Sequence, residues 1–288
     1  MTQNRLTKKL GEGLHILPGV HNALSAVLAE MAGFKALFVT GAGVSNNFLG
    51  EPDLGFLTFD QLKAHVEQIL LKVSIPVFVD FDAGYGDAKL AYRQGRQLHQ
   101  LGVAGVFIED QVQPKRCGHF HGKKVIRKKE MLEKISAIRE VSQDWVLVAR
   151  TDALAVEEFE TAMDRLNAYH HKGADVTFME APQSREQLKR IGALGWPQVI
   201  NVVEGGLTPL ISYQEIKDMG FTIALYANFA SRVAMRAMKI AYKSLSIQGD
   251  TSVLLDEMVT FDERQSILRL HDWELFERRM ADESTTLP

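Results

Sequence analysis

Val77-Phe78-Val79-Asp80-Phe81-Asp82-Ala83-Gly84-Tyr85-Gly86 opens as a short apolar run and breaks into carboxylates and glycines. The run is too short for a helix and is rich in branched and aromatic side chains. It reads as a strand buried on both faces that ends in a polar loop. The same unit recurs along the chain. Comparable runs occupy 14–17, 36–39, 105–108, 146–149, 176–179, 199–203 and 222–225. Amphipathic patterns lie between them. Residues 60–73 place Leu62, Val66, Ile69 and Leu70 on one face, and 129–141 do so with Met131, Leu132, Ile135 and Ile138. A third helix over 184–194 starts at Ser184, with Gln187 three residues on, the pattern of a reciprocal capping box. Strand runs alternating with helices through to Tyr226 predict an α/β fold, a closed (β/α)8 TIM-type barrel; open doubly wound sheets usually have fewer strands.

The length of 288 residues suits one barrel, since such domains run to roughly 200–250 residues before extensions. At 46% apolar and 24% charged residues the chain is globular, not disordered or fibrous. A net charge of −3 argues against a nucleic-acid partner. One cysteine excludes a disulfide framework. No apolar run approaches the ~20 residues of a membrane span, and no targeting segment is evident, so a cytoplasmic protein away from membranes is expected. We expect a single domain, with the barrel over about 14–248, a helical extension over about 249–280 and a disordered tail over 281–288. The extension holds Leu255, Met258, Phe261, Ile267, Leu270, Trp273, Leu275 and Phe276, more apolar surface than a terminal helix can use alone. That suggests burial against a partner chain.

In a barrel, chemistry sits at the carboxyl ends of the strands. Here those ends read Thr40-Gly41-Ala42-Gly43, Asp80-Phe81-Asp82, Glu109-Asp110, Arg150-Thr151-Asp152, Glu180, and Asn201 followed by Glu204. Asp80, Asp82 and Glu109 are hard oxygen donors of the kind that suit Mg²⁺ or Mn²⁺. Arg150 offers a permanent cation for a carboxylate or phosphate. Gly41 and Gly43 let backbone N–H groups approach an anion. Asp110 and Asp152 read as ordinary helix caps. The segment Pro114-Lys115-Arg116-Cys117-Gly118-His119-Phe120-His121-Gly122-Lys123-Lys124 reads as an exposed, mobile basic loop. Its cations favour the Cys117 thiolate. A zinc site of Cys117, His119 and His121 lacks a fourth ligand. Lys123, Lys124, Arg127, Lys128 and Lys129 read as a basic run that is solvated or attracts anionic substrate, and not as a nucleic-acid patch.

Taken together, Thr40-Gly41-Ala42-Gly43-Val44, Leu49-Gly50-Glu51-Pro52-Asp53-Leu54-Gly55, Asp80 to Gly86, Ile108-Glu109-Asp110-Gln111, Lys115-Arg116-Cys117-Gly118-His119 and Ala149-Arg150-Thr151-Asp152-Ala153 resemble the isocitrate lyase / phosphoenolpyruvate mutase superfamily, in order and with compatible spacing. The cysteine loop resembles its carbon–carbon lyase branch, that of 2-methylisocitrate lyase and 2,3-dimethylmalate lyase. The resemblance implies a magnesium-dependent lyase acting on a 2-hydroxy or 2-oxo acid. It also implies a barrel whose last helix is exchanged between subunits of a homotetramer. Asp82 would be the main carboxylate on Mg²⁺ (or Mn²⁺), with Asp53, Asp80 and Glu109 holding its waters. Thr40, Gly41, Ala42 and Arg150 would clasp the 2-oxo acid, and Glu180 and Asn201 would line the far side. Cys117 would be the acid, with Arg116, Gly118 and His119 beside it.

Phe38 stands where these lyases commonly carry Tyr, and Ala42 replaces a common Gly. Asn201-Val202-Val203-Glu204-Gly205-Gly206 is more similar to the dimethylmalate lyase, oxaloacetate hydrolase and carboxyphosphonoenolpyruvate mutase relatives. Oxaloacetate hydrolysis, or mutase chemistry on the same metal site, is therefore the rival activity. A non-catalytic metabolite-binding relative is the remaining one.

Overall fold

The computed structural model describes residues 5–118, 120 and 122–285. Strands β1 (His15–Val20), β2 (Leu37–Val39), β3 (Val77–Asp80), β4 (Gly105–Glu109), β5 (Val146–Thr151), β6 (Val176–Met179), β7 (Gln198–Asn201) and β8 (Ile223–Tyr226) pair in sequence order into a closed barrel. All neighbours are parallel, and β8 closes onto β1 from His15↔Ile223 to Pro18↔Tyr226. Every predicted strand is present.

The strands are apolar throughout because both faces are covered. Phe38, Phe78, Phe107, Val148, Phe178, Val199 and Leu225 share one buried cluster, the barrel interior. Their neighbours Leu37, Val39, Val77, Val79, Val106 and Ile108 belong to a second cluster with Leu62, Val66, Ile69, Ile135 and Ile138 of the surrounding helices. The alternation follows the two-residue period of a strand. This phase sets the site: continuing the inward series from Phe38, Phe78, Phe107, Val148, Phe178 and Val199 reaches Thr40, Asp80, Glu109, Arg150, Glu180 and Asn201.

The helices begin where polar caps stand. Thr58 and Gln61 form a reciprocal capping box ahead of helix Phe59–Leu70. Ser184 caps helix Arg185–Gly192 through the Gln187 N–H. The Gln187 side chain, however, accepts from the Gln183 N–H at 2.7 Å, so the expected box is only half made.

The chain divides into two compact units, one ending at Arg232 and one running Val233–Pro288. The boundary falls inside the long helix Phe229–Gln248, ahead of the position near 248 where the barrel was expected to end. The second unit contains the remainder of that helix with Phe261–Ile267 and Leu270–Thr285. The tail expected to be disordered from Ala281 is helical as far as Thr285; 286–288 lie outside the described residues. None of this unit's described residues is buried. Among the described residues, no helix is long and apolar enough to cross a membrane.

Candidate active site

A cavity of about 370 Å³ opens at the carboxyl ends of the strands. Of the residues expected there, Phe38, Thr40, Ala42, Asp53, Asp80, Glu109, Cys117, Gly118, Arg150, Glu180 and Asn201 line it. Gly41, Asp82 and Arg116 do not. Gly41 gives its N–H to Asp80 Oδ2 at 3.2 Å, so it orients a carboxylate and does not face the cavity. Asp82 is buried, in the left-handed region at φ 45°. His119 lies outside the described residues. The cavity wall also includes Phe107, Phe178, Val203 and Leu225, which make much of it apolar.

In the 114–124 loop Pro114, Arg116, Phe120, Gly122 and Lys124 are exposed as expected, but Lys115, Gly118 and Lys123 are buried. Lys115 is 5% exposed, and its ammonium lies 2.7 Å from Asp53 Oδ1 and 2.8 Å from Asp82 Oδ1. Lys123, expected in a solvated run, is equally buried and pairs with Asp152 at 2.8 Å. Gln111 holds the Arg116 backbone from both sides, accepting from its N–H at 3.0 Å and donating to its carbonyl at 2.7 Å. The Cys117 N–H donates to the Asp53 carbonyl at 3.0 Å. These contacts lay the loop across the cavity with Cys117 on its wall. Lys115 and Lys123 turn inward because the strand ends supply more carboxylates than Arg150 alone can balance, while Arg116 and Lys124 stay exposed.

Arg150 is the hub of the opposite side. Its Nε and Nη2 donate to the Asp152 carboxylate at 2.8 and 3.1 Å. Its Nη1 is 3.0 Å from Glu180 Oε2, and its Nε is 3.4 Å from Glu109 Oε2. Asn201 Nδ2 donates to Glu180 at 3.4 Å. Asp110 and Asp152, expected as caps, are both fully buried, and Asp152 makes no side-chain cap bond. Asp110 faces the helix layer, where it accepts from Thr151 Oγ1 at 2.6 Å, Tyr169 OH at 2.7 Å and the Asp152 N–H at 2.9 Å. It therefore fixes the backbone that presents Asp152 to Arg150.

Burial is the largest influence on these groups. It pushes the Asp82 carboxyl up to about 7, with Lys115 opposing and Asp80 and Asp53 adding to the rise. Burial likewise raises Glu109 well above the usual carboxylate range, only partly offset by Arg150. Burial would lower Lys115, but Asp82, Asp53 and Asp80 outweigh it and hold the ammonium well above its ordinary value. For Asp152, burial is overcome by Arg150 and Lys123, and its carboxyl is held low.

A hard divalent cation fits this donor set. Glu109 Oε1 is buried without a hydrogen-bond partner, and Asp82 Oδ1 has the Lys115 charge beside it but no hydrogen bond of proper direction. Among the described residues no three His, Cys or carboxylate side chains form a closed cage. Mg²⁺ does not need one, since it keeps several waters and takes one or two carboxylates directly. Buried carboxylates pushed above their usual range, with one lysine between two of them, are what a second positive centre would relieve.

The chain matches the family model described as phosphoenolpyruvate phosphomutase over residues 6–246. It is 37% identical over 258 residues to 2,3-dimethylmalate lyase of Eubacterium barkeri, covering 88% of this chain and 89% of that protein. It is 36% identical over 260 residues to 2-methylisocitrate lyase of Aeropyrum pernix, with 90% and 84% covered. Among solved structures it superposes with a TM-score of 0.90 on oxaloacetate acetylhydrolase in complex with the inhibitor 3,3-difluorooxalacetate, at 34% identity over 96% of this chain and 95% of that one.

Proposed function

The chain belongs to the phosphoenolpyruvate mutase / isocitrate lyase superfamily and is an enzyme of its carbon–carbon lyase kind, and on that premise we propose that it cleaves the C2–C3 bond of a substituted 2-hydroxy dicarboxylate or tricarboxylate, of the 2,3-dimethylmalate or 2-methylisocitrate type, to a 2-oxo acid and a second carboxylic acid. The observation that carries the reading is the loop. It holds Cys117 and Gly118 over the same cavity that Arg150, Glu180 and the carboxylates at the ends of β3 and β4 line from the opposite side.

A divalent cation, Mg²⁺ with Mn²⁺ as its substitute, would be held by Asp82 with Asp53, Asp80 and Glu109 around it, and would draw negative charge off the oxygens at C1 and C2. The chain's own groups do the rest. Arg150 keeps its charge at any working pH and orients the substrate's 2-oxo acid half through a carboxylate. Thr40 and Ala42 border the same fragment, with Gly41 behind them holding Asp80 in place. The apolar wall of Phe38, Phe107, Phe178 and Leu225 accepts the substituted end. In cleavage the 2-hydroxyl gives its proton to water, and its C–O bond becomes the carbonyl of the 2-oxo acid. The C2–C3 electron pair passes to C3 and delocalises into the neighbouring carboxylate. The Cys117 thiol then gives its proton to C3, completing the second acid. A proton from solvent returns to the Cys117 thiolate once the products leave. Arg116, Gly118 and His119 would flank that transfer, and the closed loop keeps water from the carbanion.

Oxaloacetate hydrolysis is the second reading, supported by the 34% identity to oxaloacetate acetylhydrolase and by the Asn201–Gly206 sequence, which resembles that of the hydrolase as well as the dimethylmalate lyase relatives. Mutase chemistry is less consistent with a cysteine in the loop, where mutases usually carry Asn. We further propose that the enzyme is a cytoplasmic homotetramer in which the C-terminal helices are exchanged between subunits. The exposed Tyr242, Ile247, Phe261 and Trp273 support that assembly.

The test is a coupled assay of 2-oxo acid release with Mg²⁺ on 2-methylisocitrate, isocitrate, 2,3-dimethylmalate and oxaloacetate. Release from one hydroxy acid, abolished by EDTA, is the expected result. Consumption of oxaloacetate alone, with oxalate and acetate formed and no new 2-oxo acid, selects the hydrolase. Cys117→Ser should lower kcat by at least ~10²-fold, the usual weight of a general acid, with Mg²⁺ affinity unchanged. Full activity in that variant removes Cys117 from the acid role.

A further inference from the structure

We propose that Lys123 is a positioning residue, whose buried ammonium ties the loop carrying Cys117 to the carboxylate that aims Arg150, so that loop closure and Arg150 orientation are set together. The Lys123 side chain is 1% exposed and does not line the cavity, so it cannot act by touching substrate. Its Nζ donates to the Gly118 carbonyl, adjacent to Cys117, and to Asp152 Oδ1 at 2.8 Å. The same Oδ1 accepts from Arg150 Nη2 at 3.1 Å, while Oδ2 accepts from Arg150 Nε at 2.8 Å. One buried carboxylate is thus shared by the cation that binds the loop and the cation that faces the cavity.

Asp152 is not free to follow either partner. Its backbone N–H is held by Asp110 at 2.9 Å, and Asp110 is pinned in turn by Thr151 and Tyr169. A rigid carboxylate between two cations transmits position from one to the other. If the loop rises, Gly118 leaves and a buried ammonium loses an acceptor, which disfavours every partly raised state. Gly118 also lies flush on the pair it helps to set: a Cβ there would stand 2.5 Å from Arg150 Nη2 and from Glu180 Cγ. The closed loop and the aligned Arg150 therefore require each other.

The inference rests on the roles given above to Cys117 and Arg150, but its test reads loop position without turnover. Cys117 is the sole cysteine, so the rate of iodoacetamide alkylation of native protein reports one site. Pyruvate with Mg²⁺ should slow alkylation of the parent, and Lys123→Met should raise the rate at least tenfold and remove that protection. Lys123→Arg, which restores charge and donors, should return it to within threefold of the parent. Lys123→Gln is run alongside and should behave like Lys123→Met if the charge on Asp152 is what matters. An ordinary structural ion pair would lower the melting temperature and leave native alkylation unchanged. Parental alkylation in folded Lys123→Met, no recovery in Lys123→Arg, or loss of the fold in both neutral variants overturns the proposal. Absence of lyase activity in the parent enzyme, with alkylation as expected, would instead fault the assigned reaction.

Discussion

Replacing Gly118 by alanine should disable the enzyme while leaving it folded. The added Cβ would stand 2.5 Å from Arg150 Nη2, 2.5 Å from Glu180 Cγ and 2.6 Å from Glu180 Cδ. Non-bonded carbon contacts settle at roughly 3.5–4.0 Å, so about 1 Å of clearance must be found. Neither neighbour yields easily. The Glu180 atoms in the way are not the tip of its side chain, and its carboxylate is tied to Arg150 at 3.0 Å; Arg150 is bound to Asp152 through two nitrogens. The loop must lift, or the Arg150–Glu180 pair must turn. A displacement of about 1 Å in positioned groups costs on the order of 10²-fold in rate. At 1.36 kcal/mol per tenfold, that is about 2.7 kcal/mol of barrier. Lifting an edge of the loop spares the barrel core, so destabilisation should stay at the low end of the roughly 1–3 kcal/mol typical of overpacking. The assay is kcat/KM for 2-oxo acid release, with melting temperature measured on the same sample. A Gly118→Ala enzyme within threefold of the parent would show that the closed contact of loop on Arg150 and Glu180 is not the working arrangement.

Asp82 gives a pH signature. Its folded carboxyl is raised from 3.8 to about 7, so the fold binds that proton more tightly than the unfolded chain does. The stability it contributes is present in full below 3.8 and is lost as pH rises through about 7. Metal-free protein should lose melting temperature across that window more steeply than Asp82→Asn; parallel profiles refute the assignment. The exposed apolar side chains of the Val233–Pro288 unit predict assembly. Analytical ultracentrifugation should return four chains, and charge at Trp273 and Phe276 (both to Asp) should dissociate them. A species of one 32.2 kDa chain for the parent rejects the tetramer.

The barrel was legible because its signal is local. Each strand is a short Val-, Ile-, Leu- or Phe-rich run with a polar residue at its end, and the inward phase of Phe38, Phe78 and Phe107 extends to Thr40, Asp80 and Glu109 without knowledge of any partner. Phase would also have separated Glu109 from Asp110, since adjacent strand residues face opposite sides. The buried lysines were not legible. Lys115 and Lys123 sit in a run that composition reads as solvated, and their counter-charges, Asp53, Asp82 and Asp152, come from distant parts of the chain. The tightness around Gly118 is equally non-local, for glycine in a loop ordinarily signals a turn. Asp110 and Asp152 looked like caps because Asp is a common cap. Only the position of Tyr169 and Arg165 on the covering helix shows that Asp110 points outward into a network.

Lys115 places a positive charge on a tether between Asp53 and Asp82. The nascent chain therefore brings its own counterion to a cluster of carboxylates that would otherwise repel one another as the barrel closes. Maturation then does not wait on a dissolved ion, and protein made and purified in chelator should be folded. Binding of a divalent cation would then be an exchange in which a resident ammonium gives up part of its hold, so ionic strength and competing divalent ions should affect how fast the cation enters more than whether the chain folds.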